Sequence, residues 1–131
     1  MGTVLGRVLI YTDKIDEMTG FYARYFGYAI YRSKTDPIVE LRSRAEGMTL
    51  LLHPLRPGQD EGQSQVKLVF DVEDVAGFCA SAKADGLDFG EIIRMEGCAF
   101  ANVRDPAGHT IQVSDRVFAQ SQRGQGDYRP G

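Results

Sequence analysis

Apolar residues along this chain fall into short runs, interrupted twice by a stretch of helical periodicity. Val8 to Tyr11 is a short apolar run with Arg7 in front, and it predicts a strand. From Asp16 the pattern changes. Ile15, Met18, Tyr22, Tyr25 and Phe26 recur at three- and four-residue steps and make one apolar stripe of a helix. Gly27 stands in the usual C-terminal position of such a helix. Tyr28 to Arg32, Pro37 to Arg42 and Met48 to His53 then read as three strands, with Gly47 at the last turn. Pro37 has no N–H to give, so it fits only a strand start or an edge.

Pro54 to Ser64 is rich in Pro, Gly, Gln and acid, and reads as a loop. The pattern then restarts. Val66 to Asp71 predicts a strand, and Asp74 a helix N-cap. Val75, Phe78, Cys79 and Ala82 form the stripe behind it, and Gly86 ends the helix. Phe89 to Arg94, Cys98 to Arg104 and His109 to Ser114 supply three more strands. Asp105-Pro106-Ala107-Gly108 is a turn in which Pro presets φ and Gly supplies a positive one. Residues 119–131 read as a flexible tail.

The order strand, helix, three strands therefore occurs twice. Arg7-Val8-Leu9-Ile10 aligns with Lys67-Leu68-Val69-Phe70 at an offset of 60 residues. Ile15 then falls on Val75 and Met18 on Phe78. Gly47 to Leu52 aligns with Gly108 to Val113. A long unit present only twice is a duplicated half-domain, not a solenoid. The expectation is one α+β domain over residues 1–118, with repeat one at 5–53 and repeat two at 66–115.

Composition narrows the function classes. A net charge of −3, with scattered basic residues, argues against nucleic acid, which needs a basic patch or stripe. No apolar run approaches the roughly 20 residues that cross a bilayer. Met1 to Ile10 carries Arg7 in a strand-like pattern and does not read as a signal peptide. Cys79 and Cys98 form no C-x-x-C pair and no disulfide framework. These features set an expectation of a cytoplasmic protein without membrane or nucleic-acid partners.

Three motifs carry a family resemblance. They are Phe21-Tyr22 with Tyr25-Phe26-Gly27-Tyr28 at the first helix end, Leu68 to Val75 opening the second half, and Asp105-Pro106-Ala107-Gly108-His109-Thr110-Ile111-Gln112 near its close. In this order and spacing the chain resembles the vicinal oxygen chelate superfamily, which includes glyoxalases, bleomycin-binding proteins and extradiol dioxygenases. The resemblance implies two tandem βαβββ units forming an open, barrel-like cup. It also implies a divalent metal held by the first and fourth strands of each unit. Here those positions are Arg7, Leu51, Lys67 and Gln112. Divalent ions take carboxylate, imidazole or thiolate, and an amide oxygen less often. Only Gln112 offers such an atom, so the expectation is no metal or other cofactor.

Arg7 and Lys67 then need another role. Cations at the floor of a cup either pair with strand carboxylates such as Glu40 or Asp71, or hold the anionic group of a ligand. His53 shares the strand face of Leu51. It is either a ligand-contacting imidazole or a partly solvated strand-end residue beside Pro54. His109, just after a Gly turn, reads as surface. Tyr11, Tyr28 and Tyr31 either line a pocket or pack the sheet. The expected ligand-binding set is Arg7, Lys67, Gln112, His53 and Tyr11. The expected function is metal-independent binding of a small anionic or aromatic molecule by a homodimer. The alternative is a metal-dependent lyase, isomerase or dioxygenase.

Overall fold

The computed structural model describes residue 2 and residues 5–62, 66–95 and 97–122. The first half runs β1 (Arg7–Tyr11), α1 (Ile15–Phe26), β2 (Tyr28–Arg32), β3 (Val39–Ser43) and β4 (Thr49–His53). The second runs β5 (Leu68–Asp71), α2 (Val75–Ala84), β6 (Ile93–Met95), β7 (Cys98–Arg104) and β8 (Thr110–Ser114), followed by α3 (Arg116–Gln122). Each half is a βαβββ unit with its own four-stranded mixed sheet. The strand orders are β1-β4-β3-β2 and β5-β8-β7-β6, so the duplication extends to topology. In each sheet the first strand pairs parallel with the fourth, and the remaining pairs are antiparallel.

Strand alternation sorts the faces. In β4, Leu50 and Leu52 are buried, while Thr49, Leu51 and His53 are half-buried on the other side. The inner face of the first sheet, with Ile10, Val39, Leu41, Leu50 and Leu52, shares a core with Met18, Phe21 and Tyr22 of α1. The second core is built from smaller groups, including Ala82, Ala99, Ala101, Ile111 and Val113. Helix ends follow the expected chemistry. Gly27 takes φ +71° and its N–H reaches the Tyr22 carbonyl. The Asp74 carboxylate accepts from the Gly77 N–H.

The structure differs from expectation in several elements: the strand expected over Val66–Asp71 starts only at Leu68, so Lys67 lies just ahead of β5. Pro37 lies ahead of β3, which starts at Val39. The expected strand at Phe89–Arg94 is reduced to Ile93–Met95. Phe89 turns inward instead, is buried, and meets Phe78 edge-on with centroids 5.9 Å apart. Finally, α3 takes in residues 119–122 of the expected tail, and residues 123–131 lie outside the described ones.

Two compact units emerge, and they are not simply the two halves of the chain. Asp105–His109, the turn joining β7 to β8, belongs with the residues of the first half. Within that unit the Asp105 carboxylate is a shared acceptor. Oδ1 accepts from the N–H groups of Ala107 and His109, and Oδ2 accepts from the Tyr22 hydroxyl at 2.9 Å. The His109 ring nitrogen Nδ1 lies 3.1 Å from Oδ2. His109 is therefore not the surface residue expected after a glycine turn; its side chain is 14% exposed beside a fully buried carboxylate. The 54–62 loop joins the same assembly. Glu61 accepts from the Thr12 hydroxyl and the Asp13 N–H. Gly62, at φ +66°, runs so close to the Ala107 carbonyl that a Cβ would strike it.

Candidate functional site

The outward faces of the two sheets carry the expected site residues, and each sheet is built separately. On the first, β1, β4, β3 and β2 bring Leu9, Leu51, Glu40 and Tyr31 into one cross-strand row. Arg7 stands opposite Thr49 at one end of this face, and Tyr11 stands opposite His53 at the other. Arg7 is exposed and makes no ion pair or side-chain hydrogen bond among the described residues. The anticipated pairing with Glu40 does not form, because Glu40 is taken by its own strand neighbour. Arg42 Nε and Nη2 both donate to Glu40 Oε2, at 3.0 and 2.8 Å. The same guanidinium lies 3.9 Å from the centre of the Tyr31 ring, a cation–π stack. Arg7, Tyr31, Glu40, Arg42 and Leu51 line a concavity of about 400 Å³.

Tyr11 and His53 form an edge-to-face pair with centroids 5.2 Å apart, and the Arg56 guanidinium lies 5.6 Å from the Tyr11 ring. His53 Nδ1 is 2.7 Å from the Pro54 carbonyl. A carbonyl oxygen only accepts, so this contact puts a proton on Nδ1, and in the neutral ring Nε2 is then an acceptor. His53 is half-buried.

On the second sheet, Lys67 is exposed and donates to Asn102 Oδ1 at 3.4 Å, and Gln112 Nε2 donates to the same oxygen at 3.1 Å. Neither Lys67 nor Asp71 forms an ion pair among the described residues. Asn102 faces Gln112 directly across the β7–β8 ladder, as Glu40 faces Leu51 across β3–β4. Sequence reasoning missed Asn102. The repeat carries the signal, since both third strands place a polar residue beside the fourth-strand position. Lys67, Asn102, Arg104 and Thr110 line a second concavity, also of about 400 Å³. Thus Arg7, Tyr11 and His53 share one sheet face, and Lys67, just ahead of β5, meets Gln112 of the other sheet through Asn102.

These side chains do not fit a divalent metal. Arg7 and Lys67 have no lone pair to donate in their charged forms, and Leu51 has no donor atom. Among the described residues no group of three or more His, Cys, Asp or Glu side chains is placed to hold an ion.

Perturbed acid–base groups cluster elsewhere, around Asp105. Hydrogen bonding to that carboxylate raises the His109 imidazole above its ordinary range, against the opposing effect of burial. Burial, with Asp105 adding to it, pushes the Tyr22 phenol far up. Such shifts can mark active sites. Here the groups satisfy one another inside the first unit, and they act as a clasp.

Comparison with solved structures places the fold. The chain is similar to lactoylglutathione lyase from Agrobacterium tumefaciens, at 20% identity and a TM-score of 0.67, covering 86% of this chain and 93% of that one. It is similar to UcmS2, at 20% identity and a TM-score of 0.72, covering 88% and 99%. It is also similar to TnmS3, an antibiotic binding protein from a Streptomyces species, at 16% identity and a TM-score of 0.71, covering 85% and 93%. No curated protein matches the sequence closely enough to count as a relative. A family model covers residues 4–113, nearly the whole of both repeats. With that match, the duplicated βαβββ topology and the shared fold, the chain belongs to the glyoxalase/bleomycin resistance protein/dioxygenase superfamily.

Proposed function

We propose that this protein binds a small anionic or aromatic molecule on its outward sheet faces and does so without a divalent metal. Arg7 carries the reading. It is an exposed guanidinium without an ion pair among the described residues, and it stands at a first-strand position where the family resemblance implies a metal ligand. A guanidinium presents a planar fork to carboxylate or phosphate and repels a dication. Lys67 at the matching position of the second repeat, with Gln112 beside it, supports the same chemistry. Tyr11 and His53 add an aromatic edge and an acceptor nitrogen. Structures of this fold include one described as a lyase and one as an antibiotic binding protein, so donor chemistry has to separate the two uses.

Isothermal titration with a panel of anionic and aromatic metabolites tests the reading. Binding above background is expected, weakened by Arg7→Ala and by Lys67→Ala. Metal analysis of the purified protein tests the alternative. Stoichiometric nickel, zinc, iron or manganese would overturn the metal-independent reading in favour of lyase, isomerase or dioxygenase chemistry.

The same proposal includes a cytoplasmic homodimer. The edge strands β2 and β6 expose Ile30, Tyr31, Ile93 and Met95, and open edges of this kind call for cover. Light scattering that returns a monomer mass at micromolar concentration would overturn the dimer.

A further inference from the structure

The outward face of the first sheet reads, strand by strand, as cation, apolar surface and carboxylate. Arg7 lies on β1, Leu51 on β4 and Glu40 on β3, and these strands are consecutive neighbours in the sheet. The cations of the concavity are not equivalent. Arg32 contacts Asp16 at 3.5 Å, and Arg42 is committed to Glu40 and Tyr31. Arg7 has no ion pair or side-chain hydrogen bond among the described residues. Glu40 is asymmetric too. Both Arg42 bonds end on Oε2, which leaves Oε1 as a carboxylate oxygen without a donor among the described residues. Asp36 also lines the concavity, but its Oδ1 is held by the Ile38 N–H.

Arg7 and Glu40 do not pair with each other, and the lattice of the sheet explains why. They are two strands apart and offset by two residues in register. With strands about 4.8 Å apart and a rise of about 3.3 Å per residue, their Cα atoms are about 12 Å apart. The surface between them is apolar: Leu51 is half-buried and Leu9 is 40% exposed.

We propose that this face takes a small aromatic acid carrying an amino group. The carboxylate lies on the Arg7 guanidinium, the ring lies over Leu51 and Leu9, and the ammonium donates to Glu40 Oε1. This rests on the anion-binding reading above and adds a second point of recognition to it. The ligand class is therefore a zwitterion with its charges at opposite ends of a flat apolar body, and a simple anion uses only half of the site.

Three matched probes test it on the intact chain: 4-(aminomethyl)benzoate, benzoate and benzylamine, titrated by calorimetry. An added exposed ion pair contributes up to about 1 kcal/mol, so 4-(aminomethyl)benzoate is expected to bind about three- to fivefold tighter than benzoate. Benzylamine is expected to bind more weakly than either. Glu40→Gln erases the preference for 4-(aminomethyl)benzoate over benzoate; an unchanged melting temperature checks that this variant is folded. Arg7→Ala weakens both carboxylates. Amide resonances of Glu40 and Leu51 shift on titration with the zwitterion. Equal affinity for 4-(aminomethyl)benzoate and benzoate overturns the inference while leaving anion binding intact. A preference that survives Glu40→Gln overturns it, as do shifts confined to other strands. Absence of binding by both carboxylates overturns this inference and the anion-binding reading together.

Discussion

Replacing Asp105 by alanine removes one carboxylate that several groups share. Two backbone N–H donors, those of Ala107 and His109, lose their acceptor, and so does the hydroxyl of Tyr22, which is fully buried. His109 loses the negative charge 3.1 Å from its ring. Each hydrogen bond to a charged acceptor contributes about 1.5–3 kcal/mol net, and the contributions of one network do not add. Water can reach the half-buried His109 N–H more readily than the core. A loss of about 4 kcal/mol follows, a large share of the roughly 5–15 kcal/mol that holds a domain folded. For a chain of 131 residues this corresponds to a fall in melting temperature of about 14 °C. Tyr22→Phe removes only the hydroxyl bond and should cost about 1.5–3 kcal/mol. Calorimetric melting of the three proteins measures both losses. A loss below about 1 kcal/mol for Asp105→Ala would refute the clasp, and so would Tyr22→Phe destabilising as much as Asp105→Ala.

The clasp also predicts a pH dependence. The folded-state pKa of His109 is raised, so its contribution is fully present below about pH 6.5 and is lost as pH rises through the folded-state value. Urea titrations from pH 5.5 upward should show that decline, and Asp105→Asn should flatten it; an equal slope in both proteins counts against the pairing. Gly62→Ala places a side chain at φ +66° against the Ala107 carbonyl, and should destabilise by about 2 kcal/mol or more in the same assay. Asp74→Ala removes the N-cap of α2 and should cost about 1 kcal/mol, with Asp74→Ser recovering most of it.

Much of the fold was legible because the duplication repeats its punctuation as well as its apolar runs. Ile15 and Val75, aligned at the offset of 60, are the first residues of α1 and α2. Thr49 and Thr110, aligned through Gly47 and Gly108, begin β4 and β8. Strand pairing itself is long-range, and the pattern is silent on it. Glu40 looked available to Arg7, but Arg42, two residues further along the same strand, takes its carboxylate. Asn102 emerged as the partner of Lys67 and Gln112 only once β7 was laid beside β8. The Phe89 run has the composition of a strand, but its ring finds Phe78 of α2, and burying an aromatic outweighs extending an edge pairing. His109 was misread because a glycine turn normally faces water. Here the turn itself is drawn in by the buried Asp105.

The membership of Asp105–His109 in the first unit also fixes an order of events during synthesis. Residues up to 62 contain every strand of the first sheet, yet the acceptor for the Tyr22 hydroxyl is encoded 83 residues further along the chain. A nascent chain that has released only the first repeat holds an unlatched unit, with Gly62 shaped for a turn not yet made. Maturation of the N-terminal half therefore waits for the ribosome to deliver the β7–β8 hairpin. By then nearly all of the second repeat has emerged as well. Repeats that descend from one ancestral half can be expected to fold alone, but the first of these two includes a turn that the second repeat carries.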